Sequence, residues 1–173
     1  MFDKISTRSK NIKPSAIRRF FAVPDDVVSL GIGEPDFDSP PAVIQASHQA
    51  LDAGKTHYTA NSGIPELRRL ISEDLEKRYG VRYNPEAEII ITVGGSEALY
   101  LAMATIVDPG DEVIILTPCF VSYQAMVELS GGICVEVPCK FENNFDLDIE
   151  AVKAAITPKT KAILLGFPCN PTG

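Results

Sequence analysis

No run of lysines or arginines breaks this chain, and its formal net charge is −7, so a nucleic-acid or anionic-membrane surface suits its electrostatics poorly. No apolar stretch approaches the length of a membrane span. The first residues, with Asp3, Lys4, Arg8 and Lys10, lack the apolar core of a secretion signal. The expected location is therefore cytoplasmic, with no nucleic acid and no membrane among its partners. The four cysteines, Cys119, Cys134, Cys139 and Cys169, make no Cys-x-x-Cys, and histidine pairs at zinc spacing are missing. Reduced thiols are the better reading than disulfides, and no metal site is expected. Imidazoles are scarce: only His48 and His57 occur, and His48, inside a helical pattern, reads as a surface or packed residue before a catalyst. What is present is ordinary globular composition, 45% hydrophobic and 23% charged over 173 residues. That suffices for one domain with a real core and a small-molecule site.

The chain is organised around Ile89-Ile90-Ile91-Thr92-Val93-Gly94-Gly95-Ser96-Glu97-Ala98-Leu99, a β-branched run that breaks at two glycines and resumes as an apolar helix. This predicts strand, tight turn, helix. Backbone N–H groups at a helix start lack intrahelical partners and carry the positive end of the macrodipole, so a phosphate would fit there. Gly94 and Gly95 would let the backbone approach a ligand, and Ser96 would cap the helix or donate to an oxygen. The same residues also fit a plain strand-to-helix turn with a serine N-cap. A nucleotide P-loop is excluded, because no Gly-Lys-Ser/Thr follows.

Upstream, Ser15-Ala16-Ile17-Arg18-Arg19-Phe20-Phe21 suggests a short helix in a polar, basic arm, with Ile17, Phe20 and Phe21 facing one way. Gly31-Ile32-Gly33-Glu34-Pro35-Asp36-Phe37 has only two glycines of a dinucleotide fingerprint and a proline where the helix should start, so that reading fails. A helix is predicted over residues 40–53, opened by proline after the capping candidates Asp38 and Ser39, with Val43, Ala46, Ser47 and Ala50 on one stripe, and stopped at Gly54. Pro65 opens another, with Leu67, Leu70, Ile71 and Leu75 inward, the pairs Glu73/Lys77 and Asp74/Arg78 outward, and Gly80 at its end. From residue 88 onward strands alternate with helices: strands at 89–93, 112–116, 133–137 and 161–165, helices at 96–107, 122–129 and 149–156. This is an α/β pattern, a mostly parallel sheet with helices on both faces. Ligands in such sheets sit beyond the C-terminal strand ends. That collects Gly94-Gly95-Ser96, Thr117-Pro118-Cys119-Phe120 and Phe167-Pro168-Cys169-Asn170-Pro171-Thr172-Gly173.

Those segments, together with Gly33-Glu34-Pro35-Asp36-Phe37 and His57-Tyr58, resemble the N-terminal part of a class I, fold-type I, pyridoxal-phosphate-dependent aminotransferase, most of all the archaeal-type aromatic and aspartate enzymes. The resemblance covers nearly the whole chain. It implies an incomplete large domain of the fold-type I architecture, with residues 1–30 as an N-terminal arm or small-domain segment and 31–173 as the N-terminal portion of the cofactor-binding domain. It also implies pyridoxal 5'-phosphate as cofactor. Gly95, Ser96 and Glu97 would hold the phosphate, the last through its backbone N–H with the carboxylate turned away. Phe120 would stack on the ring, Asn170 would bond its phenolic oxygen, and Gly33 would meet the substrate carboxylate. Tyr58 would reach the neighbouring subunit's phosphate across a homodimer interface. The implied reaction moves an amino group from an amino acid to a 2-oxo acid.

The resemblance also has a gap. The family's Schiff-base lysine has no matching motif here, and Lys140, Lys153, Lys159 and Lys161 fall at loop, helix or strand-edge positions. The 173 residues alone are accordingly expected to be inactive, to need the C-terminal half, and to leave sheet edges unpaired. Two alternatives stay open: a lyase or synthase on the same cofactor, and a non-catalytic fragment or partner chain.

Overall fold

The computed structural model describes residues 4–12, 24, 26–28, 31 and 33–173. The chain forms two compact units, one from residues 1–15 and 93–173 and one from residues 16–92. The helix suggested at residues 15–21 lies outside the described residues.

The first unit is an α/β layer. After a short α1 (Thr7–Asn11) it runs α4 (Gly94–Ile106), β1 (Glu112–Thr117), α5 (Ser122–Leu129), β2 (Ile133–Pro138), a 3-10 turn at Phe141–Asn143, α6 (Ile149–Ala155) and β3 (Thr160–Leu164); α2 (Pro41–Asp52) and α3 (Pro65–Tyr79) belong to the other unit. The strands are parallel in the order β2-β1-β3. β1 is central, and Val113, Ile114, Ile115 and Leu116 are all buried, as a continuous aliphatic run with both faces covered requires. Because side chains alternate along a strand, Val113 and Ile115 join Met103 and Val107 of α4 and its C-cap with Val127 of α5. Ile114 and Leu116 join Val137 against Ala151, Val152 and Ala155 of α6. Each fully buried Val or Ile contributes about 1.5–3 kcal/mol. Helices therefore cover both sheet faces. α6 starts at a true cap, the Asp148 carboxylate accepting the Ala151 N–H at 3.0 Å.

Residues 89–93 are not a strand. β-branched composition makes a segment fit a sheet but does not supply a neighbour. Among the described residues the sheet consists of β1, β2 and β3 alone, and Ile90 and Val93 are exposed.

In the second unit, α2 (Pro41–Asp52) begins at Pro40 without a side-chain cap, so neither Asp38 nor Ser39 caps it, and none of its residues is buried. The expected Val43 stripe is thus uncovered. α3 (Pro65–Tyr79) ends at the left-handed Gly80. Its buried residues are Arg68 and Ser72, while Leu67 and Leu70 are exposed. Polar bonding explains the reversal: the Arg68 guanidinium donates to the Pro85 carbonyl at 2.5 Å, and Ser72 Oγ to that of Tyr83 at 2.5 Å. Residues 83–86 are thereby held over the polar row. Asp74 pairs with Arg78 at 2.9 Å as expected, whereas Glu73 pairs with Arg69 at 2.5 Å instead of Lys77.

Candidate cofactor site

α4 opens two residues earlier than its serine suggests. Val93 is the N-cap, no side chain caps the helix, and Ser96 is its third residue. The serine-cap reading is therefore replaced: Ser96 Oγ stands exposed in the first turn. Gly94 has φ +80°, a left-handed conformation that favours glycine, and a β-carbon built on either Gly94 or Gly95 would meet nothing within 4 Å. One side of this turn is consequently open to a ligand. The Gly95 and Ser96 N–H groups lie in the first turn, where no intrahelical acceptor exists. Glu97, expected to turn its carboxylate away, folds it back to accept the Val93 N–H, which closes that donor.

The loop after β1 carries Phe120, which is half-buried. Its ring meets Tyr123 edge-on, with centroids 5.8 Å apart and planes at 83°, a favourable aromatic geometry. The loop after β3 carries Asn170, which is exposed. The two loops meet where Cys169 Sγ donates to the Pro118 carbonyl at 3.3 Å. Tyr123 is a contribution that sequence reasoning missed: it supports Phe120, and its hydroxyl lies against Gly166 of the other loop. Aromatics three residues apart were the only available signal.

The five residues Gly95, Ser96, Glu97, Phe120 and Asn170 belong to one compact unit, and Gly33 and Tyr58 to the other. Gly33 has open space around it, and Tyr58 is fully exposed at 107%. Among the described residues no three His, Cys, Asp or Glu side chains are placed to hold a metal ion, and no helix is long and apolar enough to cross a membrane.

Comparison with known proteins places this geometry in context. Residues 25–173 match the family described as aminotransferase class I and II. The chain is 50% identical to a probable aspartate aminotransferase of Methanocaldococcus jannaschii over 98% of its own length and 44% of that protein. It is 45% identical to an aspartate aminotransferase of Pyrococcus abyssi, again over 98% of the chain and 44% of the relative. A solved single mutant of the Thermus thermophilus aspartate aminotransferase superposes with a TM-score of 0.89 at 46% identity, covering 98% of this chain and 46% of that one. The chain thus spans under half the length of these relatives, and its parallel sheet with two helical layers is part of the fold-type I architecture. With a family match across 149 of 173 residues (25 to 173 inclusive), the chain belongs to the class I and II aminotransferases.

Proposed function

We propose that the intact protein is a pyridoxal-phosphate-dependent aminotransferase that moves an amino group from an amino acid to a 2-oxo acid, with residues 31–173 forming the N-terminal portion of its cofactor-binding domain and residues 1–30 an arm. The observation that carries this is the α4 start, where Gly94 and Gly95 leave an open approach to the backbone and Ser96 stands exposed beside it. These residues fit a phosphate: the Glu97 carboxylate takes the Val93 N–H, and the Gly95 and Ser96 N–H groups of the first turn stay turned to an anion. Gly95 and Ser96 would hold the phosphate together with the Glu97 N–H. Phe120, steadied by Tyr123, would lie against the pyridine ring, and Asn170 would hold its phenolic oxygen. Gly33 would present its backbone to the substrate carboxylate. Tyr58, fully exposed, would serve the neighbouring subunit's phosphate in a homodimer. When bound, the cofactor supplies an electron sink, and these side chains supply orientation and electrostatics.

In this proposal Lys140, Lys153, Lys159 and Lys161 are not the catalytic amine: Lys153 pairs with Glu150 at 2.8 Å and Lys161 with Asp111 at 3.7 Å, and Lys140 and Lys159 are exposed. As the family resemblance implies, we place the Schiff-base lysine in a part of the enzyme outside these residues, and the whole in a cytoplasmic setting. The test is an assay of the complete polypeptide with aspartate, aromatic and alanine donors, 2-oxoglutarate and added pyridoxal phosphate, beside residues 1–173 alone. Cofactor-dependent glutamate formation by the former and none by the latter is expected. Elimination products without glutamate would replace the transferase by a lyase, and turnover by residues 1–173 would refute the lysine assignment.

A further inference from the structure

We propose that Cys119 and Cys169 are a thiol–disulfide pair, a reversible modification site that ties the loop after β1 to the loop after β3. Three of the four cysteines, Cys119, Cys139 and Cys169, line one small cavity of about 10 Å³ where the strands end. Strand register brings them there. Thr117 pairs with Pro138, so Cys139 follows beside the end of β1, and its N–H donates to the Thr117 carbonyl at 2.7 Å. On the other side Ile115 pairs with Leu164, and the chain beyond β3 returns Cys169 Sγ to the Pro118 carbonyl at 3.3 Å. That carbonyl belongs to the peptide leading into Cys119. Standard backbone dimensions then place Cys169 Sγ within about 6 Å of Cys119 Cα, a separation that side-chain rotation and a small loop adjustment reduce to bonding distance. Cys139 borders the same cavity, but the bond that holds Cys169 Sγ runs to the carbonyl of the peptide that leads into Cys119.

The chemistry we assign to the cluster is sulfur on sulfur, because its thiols converge on one cavity. The oxidant is a low-molecular-weight disulfide. The Cys169 thiolate attacks it, forming a mixed disulfide and expelling one small thiolate. The Cys119 thiolate then attacks the Cys169 sulfur, forming the internal bond and expelling the second. Two electrons pass to the small disulfide, and the two cysteine protons end on the two released thiols. Burial pushes the Cys119 and Cys139 thiols up, which slows their own attack on the small disulfide. Cys119 and Cys169 directly precede Phe120 and Asn170, so the bond fixes both loops at their site-bearing residues. The thiols form this pair whatever those two residues hold.

The test treats the complete protein with oxidised glutathione, alkylates the remaining thiols and maps peptides without reduction. Expected is one internal link between the Cys119 and Cys169 peptides and the loss of two free thiols, both reversed by dithiothreitol. Cys119→Ser and Cys169→Ser abolish the link, and Cys134→Ser and Cys139→Ser keep it. A Cys139–Cys169 link in the unmutated protein, or glutathione held on Cys169 with no internal link, overturns the assignment. Both overturning results are read on the unmutated protein, so a variant that folds poorly does not shield the proposal.

Discussion

The hydroxyl of Tyr123 stands over Gly166, where an added β-carbon would lie only 2.7 Å away. The same tyrosine meets Phe120 edge-on, so one side chain on α5 sets the positions of both loops beyond β1 and β3. Gly166→Ala must displace Tyr123, and overpacking of this kind costs about 1–3 kcal/mol. In a Tyr123→Phe background the offending oxygen is gone, and the next ring atoms, at 3.5 Å, are in ordinary contact. The cost should then shrink, giving a clear coupling in a double-mutant cycle measured by urea unfolding. Equal costs in the two backgrounds would dismiss the contact.

Ser96→Ala separates cofactor binding from folding. Because Ser96 is inside α4 and does not cap it, apo stability should stay within about 0.5 kcal/mol. Pyridoxal phosphate affinity should weaken by about 1.5–3 kcal/mol, the worth of a hydrogen bond to a charged group. Calorimetric titration of the complete enzyme checks both. A destabilised apo protein with unchanged affinity would return Ser96 to a structural role.

Much of this arrangement was legible in the sequence, and the failures have physical causes. The alternation of strands and helices from residue 88 onward announced the parallel sheet with a helical layer on each face, and the segments expected to converge after β1 and β3 do meet, where Cys169 Sγ reaches the Pro118 carbonyl. Residues 89–93 have equal β propensity yet form no strand, because pairing is a property of neighbours. The α4 start slipped by two residues because two glycines gave the backbone a turn that needs no serine cap. On α3 the apolar stripe suggested the inward face, but Arg68 and Ser72 found backbone carbonyls in residues 83–86, a pairing that periodicity cannot show. Tyr123 against Gly166 is a contact between distant segments, and a single sequence carries no signal for it.

Phe120→Leu keeps apolar bulk and removes the π-face. The edge-on contact with Tyr123 is lost as well, worth about 0.5–1.5 kcal/mol, so a modest fall in stability should accompany weaker cofactor binding. Tyr123→Phe preserves that aromatic contact and should leave affinity near the unmutated value. Equal cofactor affinity in Phe120→Leu and the unmutated enzyme would remove Phe120 from the site.

Cys134 gives a pH prediction with a definite sign. Its thiol is half-buried on β2, with Sγ 3.8 Å from the Gln124 carbonyl. Burial first, then the neighbouring Glu128, Glu136 and Cys119, push it up to about 12 from the ordinary 9.0. The fold therefore retains a proton that the unfolded chain releases near its ordinary value, and above that value the unfolded state binds fewer protons. Stability must fall as pH rises there. The contribution of this thiol is complete below pH 9.0 and is lost on the way to about 12. Cys119 and Cys139, also raised by burial, act in the same direction, so alkaline loss alone does not isolate Cys134. Comparison with Cys134→Ala does, because the variant keeps the other thiols and lacks this one. Urea unfolding at about pH 8 and about pH 10 should show the stability difference between the unmutated protein and Cys134→Ala shifting against the unmutated protein at the higher pH. A difference that is the same at both values would mean that Cys134 titrates alike in the folded and unfolded chains, and the burial argument for this thiol would fail.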